Sequence, residues 1–91
     1  MSFHLRFSQG AWRQLKKMDR HQAQLLVNWL YANIDGLADP RSKGKALSAN
    51  LRGLWRYRIG NFRVICQIQD DQLLVLVLTV GHRRDIYLDR L

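Results

Sequence analysis

Apolar and polar positions alternate from the start of the chain: Phe3, Leu5 and Phe7 are apolar, His4, Arg6 and Ser8 polar. A period of two predicts a short opening strand. The period then lengthens. Ala11, Trp12, Leu15 and Met18 recur at helical spacing, with Arg13, Lys16 and Lys17 on the wet side, and Ser8 is placed to cap this helix. Asp19 reads as the next cap, and Leu25, Leu26, Trp29, Leu30 and Ile34 mark a second helix to about Asn33. Asp35-Gly36 ends it, the glycine suiting a left-handed cap. Two helices joined by a tight link predict an αα-hairpin.

Residues 36–50 form a basic connector with the one proline, Pro40, and Ala46 to Leu51 has room for a helical turn. Period two then returns. Trp55, Tyr57 and Ile59 alternate with Arg56 and Arg58, and Phe62, Val64, Cys66 and Ile68 alternate with Arg63, Ile65, Gln67 and Gln69. Gly60-Asn61 between them is a two-residue hairpin signal, with Gly first as a type II′ turn prefers. Asp70-Asp71 makes the next turn, and Leu73 to Val80 reads as a central strand buried on both faces. Ile86-Tyr87-Leu88 is a short tail. The expected order is β–α–α–β–β–β. This is an α+β fold, with a three-stranded antiparallel meander in one sheet packed on the helices and one domain over residues 1–91.

Composition narrows the class. At 91 residues and 47% hydrophobic, the chain can pack a core, and disorder is not expected. The longest apolar run, Leu73–Leu78, is too short to span a membrane, and Met1 to Arg6 lacks the order of a signal peptide, so a cytoplasmic protein without a membrane partner is expected. One cysteine, Cys66, excludes an internal disulfide framework.

Charge narrows the partner. Fifteen Lys and Arg face seven acids, for a net charge of +8. From Arg41 to Arg63 run Arg41, Lys43, Lys45, Arg52, Arg56, Arg58 and Arg63, with no acid among them. Such a surface favours polyanions.

The hairpin register concentrates that charge. With Gly60-Asn61 as the loop, Ile59 opposes Phe62 and Arg58 opposes Arg63, with Arg56 on the same face. Like charges directly opposed cost about 0.2–1 kcal/mol per pair. Their simplest use is to hold an anion, since guanidiniums offer forked donors matched to phosphate oxygens. Trp55, Tyr57, Phe62 and Tyr87 are expected to supply stacking for bases. The competing account is that strand arginines are solvated charges that guard an edge against aggregation. Ile65, Leu74, Leu76 and Leu78 fall on the arginine face in this register. They expose more apolar surface than a free monomer should, so a segment of a partner protein or the protein's own helices is expected to cover them.

Other chemistry is sparse. His4, His21 and His82 are scattered and, with one cysteine, give no metal-ligand spacing. No phosphate-binding glycine loop occurs, Ser8, Ser42 and Ser48 lack a nucleophile context, and no carboxylate pair is placed for acid–base work. Neither a metal nor a cofactor is expected. Cys66 and the trio Trp12, Trp29 and Trp55 read as core. Met18-Asp19-Arg20 is a poor match for the turn of a helix-turn-helix.

Two segments resemble a known family. The run from Leu51 to Ile65, with Gly53-Leu54-Trp55-Arg56-Tyr57-Arg58 and Gly60-Asn61-Phe62-Arg63-Val64, and the run Val80-Gly81-His82-Arg83-Arg84-Asp85-Ile86-Tyr87 are similar to the signatures of the RelE/ParE superfamily of bacterial type II toxins. The tryptophan-containing hairpin and the end of the second run resemble the RelE branch most. The resemblance covers nearly the whole chain. It implies a metal-independent endoribonuclease that cuts mRNA in the ribosomal A site and arrests translation. It implies an acidic RelB-like antitoxin from the same operon, with operator DNA bound only by the toxin–antitoxin complex.

The family's functional positions fall on Arg56, Arg58, Arg63, Arg83 and Tyr87, and Lys43, Lys45, Arg52 and Arg84 are expected to extend the RNA-binding surface. RelE-like enzymes often carry Lys where Arg56 and Arg58 stand. Arginine clamps a phosphate but is a poor general base. His82 and Tyr87 are then the nearby groups with proton-transfer chemistry, since the Glu–His pair of some relatives has no Glu here. Two other readings stand beside the enzyme: a ParE-like inhibitor of DNA gyrase without nuclease activity, and a catalytically inactive nucleic-acid-binding partner.

Overall fold

The computed structural model describes residues 1–82. Strand β1 (His4–Phe7) leads into helix α1 (Gln9–Lys17) and helix α2 (Arg20–Asn33). Ser8 caps α1 through a 3.0 Å bond from the Ala11 amide to its Oγ, and Asp19 caps α2 through the Gln22 amide. The connector contributes a two-residue strand, β2 (Lys45–Ala46), between short 3₁₀ turns at Pro40–Ser42 and Ala49–Leu51. Then come β3 (Trp55–Ile59), β4 (Phe62–Gln69) and β5 (Leu74–His82). The α+β fold is as the sequence predicts, with two additions: β2, and a sheet of five strands in the order β1-β5-β4-β3-β2. The meander β3-β4-β5 is antiparallel, while β1 returns to pair in parallel with β5. This makes β5 an internal strand, and its apolar run follows.

The helices cover one face of the sheet. Leu15, Leu26 and Leu30 pack with Leu5, Tyr57, Val64, Cys66, Val75, Val77 and Val80 in one buried cluster. Fully burying a side chain such as Leu30 contributes about 1.5–3 kcal/mol. Both open edges of the β1-β5 pair are closed by side-chain and loop groups. The turn after α2 runs along β1, with Leu5 N donating to Asp35 Oδ1 (2.9 Å) and Gly36 N to the Phe3 carbonyl (2.8 Å). Beyond the end of β1, Gln14 of α1 takes the place of a neighbouring strand. Its Oε1 accepts from Val80 N at 2.6 Å and its Nε2 donates to Thr79 Oγ1.

A bulge re-phases β5. Ile65 pairs with Thr79 and Cys66 with Val77, which leaves Leu78 as the extra residue. Val77 and Val80 therefore both face the core, and Thr79 and Gly81, rather than Leu78, continue the outer face toward Arg63.

Two expectations need correction. The helices pack on the valine face and do not cover the other one, yet Ile65 there is fully buried, while Leu74 and Leu76 are half-buried. Trp12 is not a core residue: it is 42% exposed, stacks on Phe7 at 4.7 Å, and borders an open groove of about 590 Å³ between the helices. Trp29 and Trp55 are partly buried against the core as expected. No helix among the described residues is long and apolar enough to cross a membrane.

Candidate functional site

The site is built on the β3-β4 hairpin. Gly60 adopts φ 58° while Asn61 stays out of the left-handed region, as a type II′ turn requires. That loop fixes the register: Ile59 faces Phe62, and Arg58 faces Arg63. The second pair of such a hairpin is the non-hydrogen-bonded kind, in which opposed Cα atoms approach to about 4.5 Å. Arg56 stands on the same face, two residues along β3 and opposite Ile65. On its other side Arg56 faces Lys45 of β2. Lys45, Arg56, Arg58 and Arg63 thus share the sheet face that the helices leave open. Arg58 and Lys45 are exposed, while Arg56 and Arg63 are half-buried.

The remaining positions divide. Lys43 and Arg52 are exposed on the connector that leads into this corner. His82 pairs with Phe62 at the end of β5, and the two rings meet edge to face at 5.6 Å. Phe62 packs against the core, so the register sets His82 on the face opposite the guanidiniums. Arg83, Arg84 and Tyr87 lie outside the described residues.

Trp55, Tyr57 and Phe62, expected to stack on bases, are not on this face. They alternate with the arginines and point to the core side. Tyr57 is fully buried, and its hydroxyl donates to the Pro40 carbonyl at 2.6 Å. Burial pushes that phenol well above its ordinary pKa, so it stays protonated. The alternation Trp55-Arg56-Tyr57-Arg58 already carried this information, because neighbours in a strand point to opposite faces.

What sequence reasoning missed is the strap that delivers Lys45. Trp55 Nε1 donates to the Lys43 carbonyl at 2.7 Å. Arg41 forms a forked pair with Asp70, at 2.8 and 2.9 Å, which ties the strap to the turn between β4 and β5. Each partner shifts the other in the expected direction: Asp70 falls below its ordinary pKa and Arg41 rises. Among the described residues, no three His, Cys, Asp or Glu side chains gather as a metal-ligand set. An array of cations on one sheet face can bind a polyanion backbone and stabilise charge that develops on it.

Comparison with known proteins places the chain in a family. A family model for the ParE toxin of type II toxin–antitoxin systems matches residues 5–87. Toxin RelG of Mycobacterium tuberculosis is 31% identical over 87 residues, covering 96% of this chain and 98% of that protein. The chain belongs to the RelE/ParE superfamily of type II toxins. Among solved structures, the RelBE2 toxin–antitoxin complex of M. tuberculosis contains a chain similar to this toxin with a TM-score of 0.82 and 28% identity, over 93% of this chain and 95% of that one. The free-state structure of an E. coli RelE mutant shares the fold, with a TM-score of 0.65, 18% identity, and 90% and 84% coverage.

Proposed function

We propose that this toxin is an endoribonuclease that cleaves mRNA in the ribosomal A site and so arrests translation. The observation that carries the reading is the guanidinium face, where Arg58 directly opposes Arg63 and Arg56 adjoins them. Directly opposed guanidiniums repel, and a phosphate bound between them interacts favourably with both.

In this reading the RNA's own 2′-hydroxyl attacks the adjacent phosphorus. The 2′-oxygen–phosphorus bond forms, the bond to the 5′-oxygen breaks, and a 2′,3′-cyclic phosphate and a 5′-hydroxyl result. Arg56, Arg58 and Arg63, with Arg83 from the segment that follows β5, hold the phosphate and stabilise the extra negative charge of the transition state. Arginine does not take the 2′-hydroxyl proton, so proton transfer falls to Tyr87 or His82. His82 is turned toward Phe62, so this reading assigns the proton transfer to Tyr87. Lys43, Lys45, Arg52 and Arg84 extend the backbone contact, and the reaction draws on these side chains without a cofactor.

The partner we propose is an acidic antitoxin. The RelBE2 comparison supports it, and so do Leu74 and Leu76, half-buried on the side of the sheet that α1 and α2 leave open. Operator DNA is then bound by the complex.

A second reading, inhibition of DNA gyrase, is favoured by the matched family description and by Arg at positions 56 and 58. Two assays with purified toxin separate them. Adding it to a reconstituted translation reaction should cleave the message only while ribosomes translate it, and Arg56→Ala/Arg58→Ala should not. Inhibition of gyrase supercoiling with intact message would overturn the nuclease reading in favour of the second.

A further inference from the structure

We propose that Lys45 extends the row of Arg56, Arg58 and Arg63 by one cation, and that it takes the RNA phosphate next to the one held by Arg58 and Arg63. The inference rests on the reading of that face as an RNA-backbone site.

Strand β2 has two residues, and both are exposed. It buries nothing, yet the chain around it is held at several points. Tyr57 Oη donates to the Pro40 carbonyl and Trp55 Nε1 to the Lys43 carbonyl. The Arg41–Asp70 pair fixes the strap from outside. Gly44 has φ 79°, and a Cβ there would collide with the Arg56 carbonyl oxygen, with Trp55 Nε1 (2.7 Å) and with Tyr57 Cδ1 (2.9 Å). The strap therefore lies directly on β3 at a residue where only glycine fits.

The result of this construction is one side-chain placement: Lys45 opposite Arg56. That is a second opposition of like charges beside Arg58 and Arg63, and packing does not call for it. Its position differs from theirs. Neighbouring strands are about 4.8 Å apart, so Lys45 and Arg63, separated by β3 and offset along it by two residues, stand about 12 Å apart. Arg56 and Arg58 are separated along β3 by about 7 Å. The row is too long for one phosphate and suits two in succession. A flexible ammonium at its outer end suits a non-reacting phosphate, where a point charge suffices, while the forked guanidiniums hold the reacting one.

The test uses a labelled RNA hexamer with 2′-O-methyl groups, which cannot attack its own backbone, and a set in which each phosphate in turn is a neutral methylphosphonate. Binding is measured for wild type, Lys45→Ala, Lys45→Arg and Arg58→Ala over a range of salt, with thermal melts as the control for folding. Lys45→Ala should weaken binding several-fold and lower the salt slope by about 1, and Lys45→Arg should restore it. One methylphosphonate should weaken wild type while leaving Lys45→Ala unmoved, at a position adjacent to the one silent in Arg58→Ala. If Arg58→Ala weakens binding and Lys45→Ala does not, the role of Lys45 is overturned and the site stands. If neither variant changes binding, or wild type does not bind the hexamer, the reading of the face fails and the role of Lys45 with it.

Discussion

Arg58 and Arg63 stand directly opposite one another across the β3-β4 hairpin, on the face that α1 and α2 leave open. Function and stability pull in opposite directions at this pair. Arg58→Ala should leave the folded state as stable as wild type or stabilise it by up to about 1 kcal/mol, because it removes an opposed like charge. Nucleic-acid binding should fall by about tenfold or more, the loss of a charge-assisted phosphate contact. Urea unfolding and a binding titration on the same preparations check this. A variant that loses stability and retains affinity would identify Arg58 as a structural residue.

Tyr57 couples stability to pH. Its buried hydroxyl donates to Pro40, and burial raises its pKa. In the unfolded chain the phenol ionises near its ordinary value of 10.0, before the folded one does. Its contribution is therefore complete below that pH and is lost as pH rises toward the folded value. Tyr57→Phe should cost about 1–2 kcal/mol at neutral pH by leaving the Pro40 carbonyl without this donor. The gap between wild type and variant should narrow above about pH 10. Denaturant midpoints at pH 7 and pH 10.5 would show it, and a constant gap would argue against the buried phenol.

Gly44 is the tight point of the strap. Gly44→Ala meets a positive φ and a collision with β3 together, so a loss of about 1 kcal/mol or more is expected. Gly53 also has positive φ, but open space surrounds its missing side chain, so Gly53→Ala should cost less. Thermal unfolding of the two variants side by side tests whether the strap rests on β3.

Cys66 is fully buried between core residues of β4, and burial pushes its thiol pKa up. It should resist a thiol reagent in the native protein at pH 8 and react promptly in denaturant. Rapid labelling of the native protein would mean that β4 is not a core strand.

The legible parts of this fold are those that local chemistry fixes. Ser8 and Asp19 announce both helices, and a two-residue loop at Gly60-Asn61 leaves one register, so the opposition of Arg58 and Arg63 could be read from the chain. Leu78 could not: a bulge inside an unbroken apolar run leaves no mark in the pattern, since each residue there suits either face. The parallel pairing of β1 with β5 joins residues about seventy positions apart, beyond the reach of periodicity. Lys45 is legible as a basic residue of the connector, but its place opposite Arg56 is not, because a two-residue strand has no period and the placement depends on Trp55, Tyr57 and Gly44 acting together. Trp12 was misplaced because helical spacing marks one face of α1 but not how far the neighbouring helix covers it. At the site, the charge is legible and the stacking is not, because Trp55, Tyr57 and Phe62 adjoin the arginines in sequence but point to the other face.

The most direct test of the central claim is induction of wild type and of Arg56→Ala/Arg58→Ala in growing cells, followed by primer extension on an abundant messenger. Discrete, in-frame cuts confined to translated regions, present with wild type and lost in a variant that still folds, are the expected result. Growth arrest with uncut messenger, or the same cuts from both proteins, would contradict the account of the guanidinium face as a nuclease site.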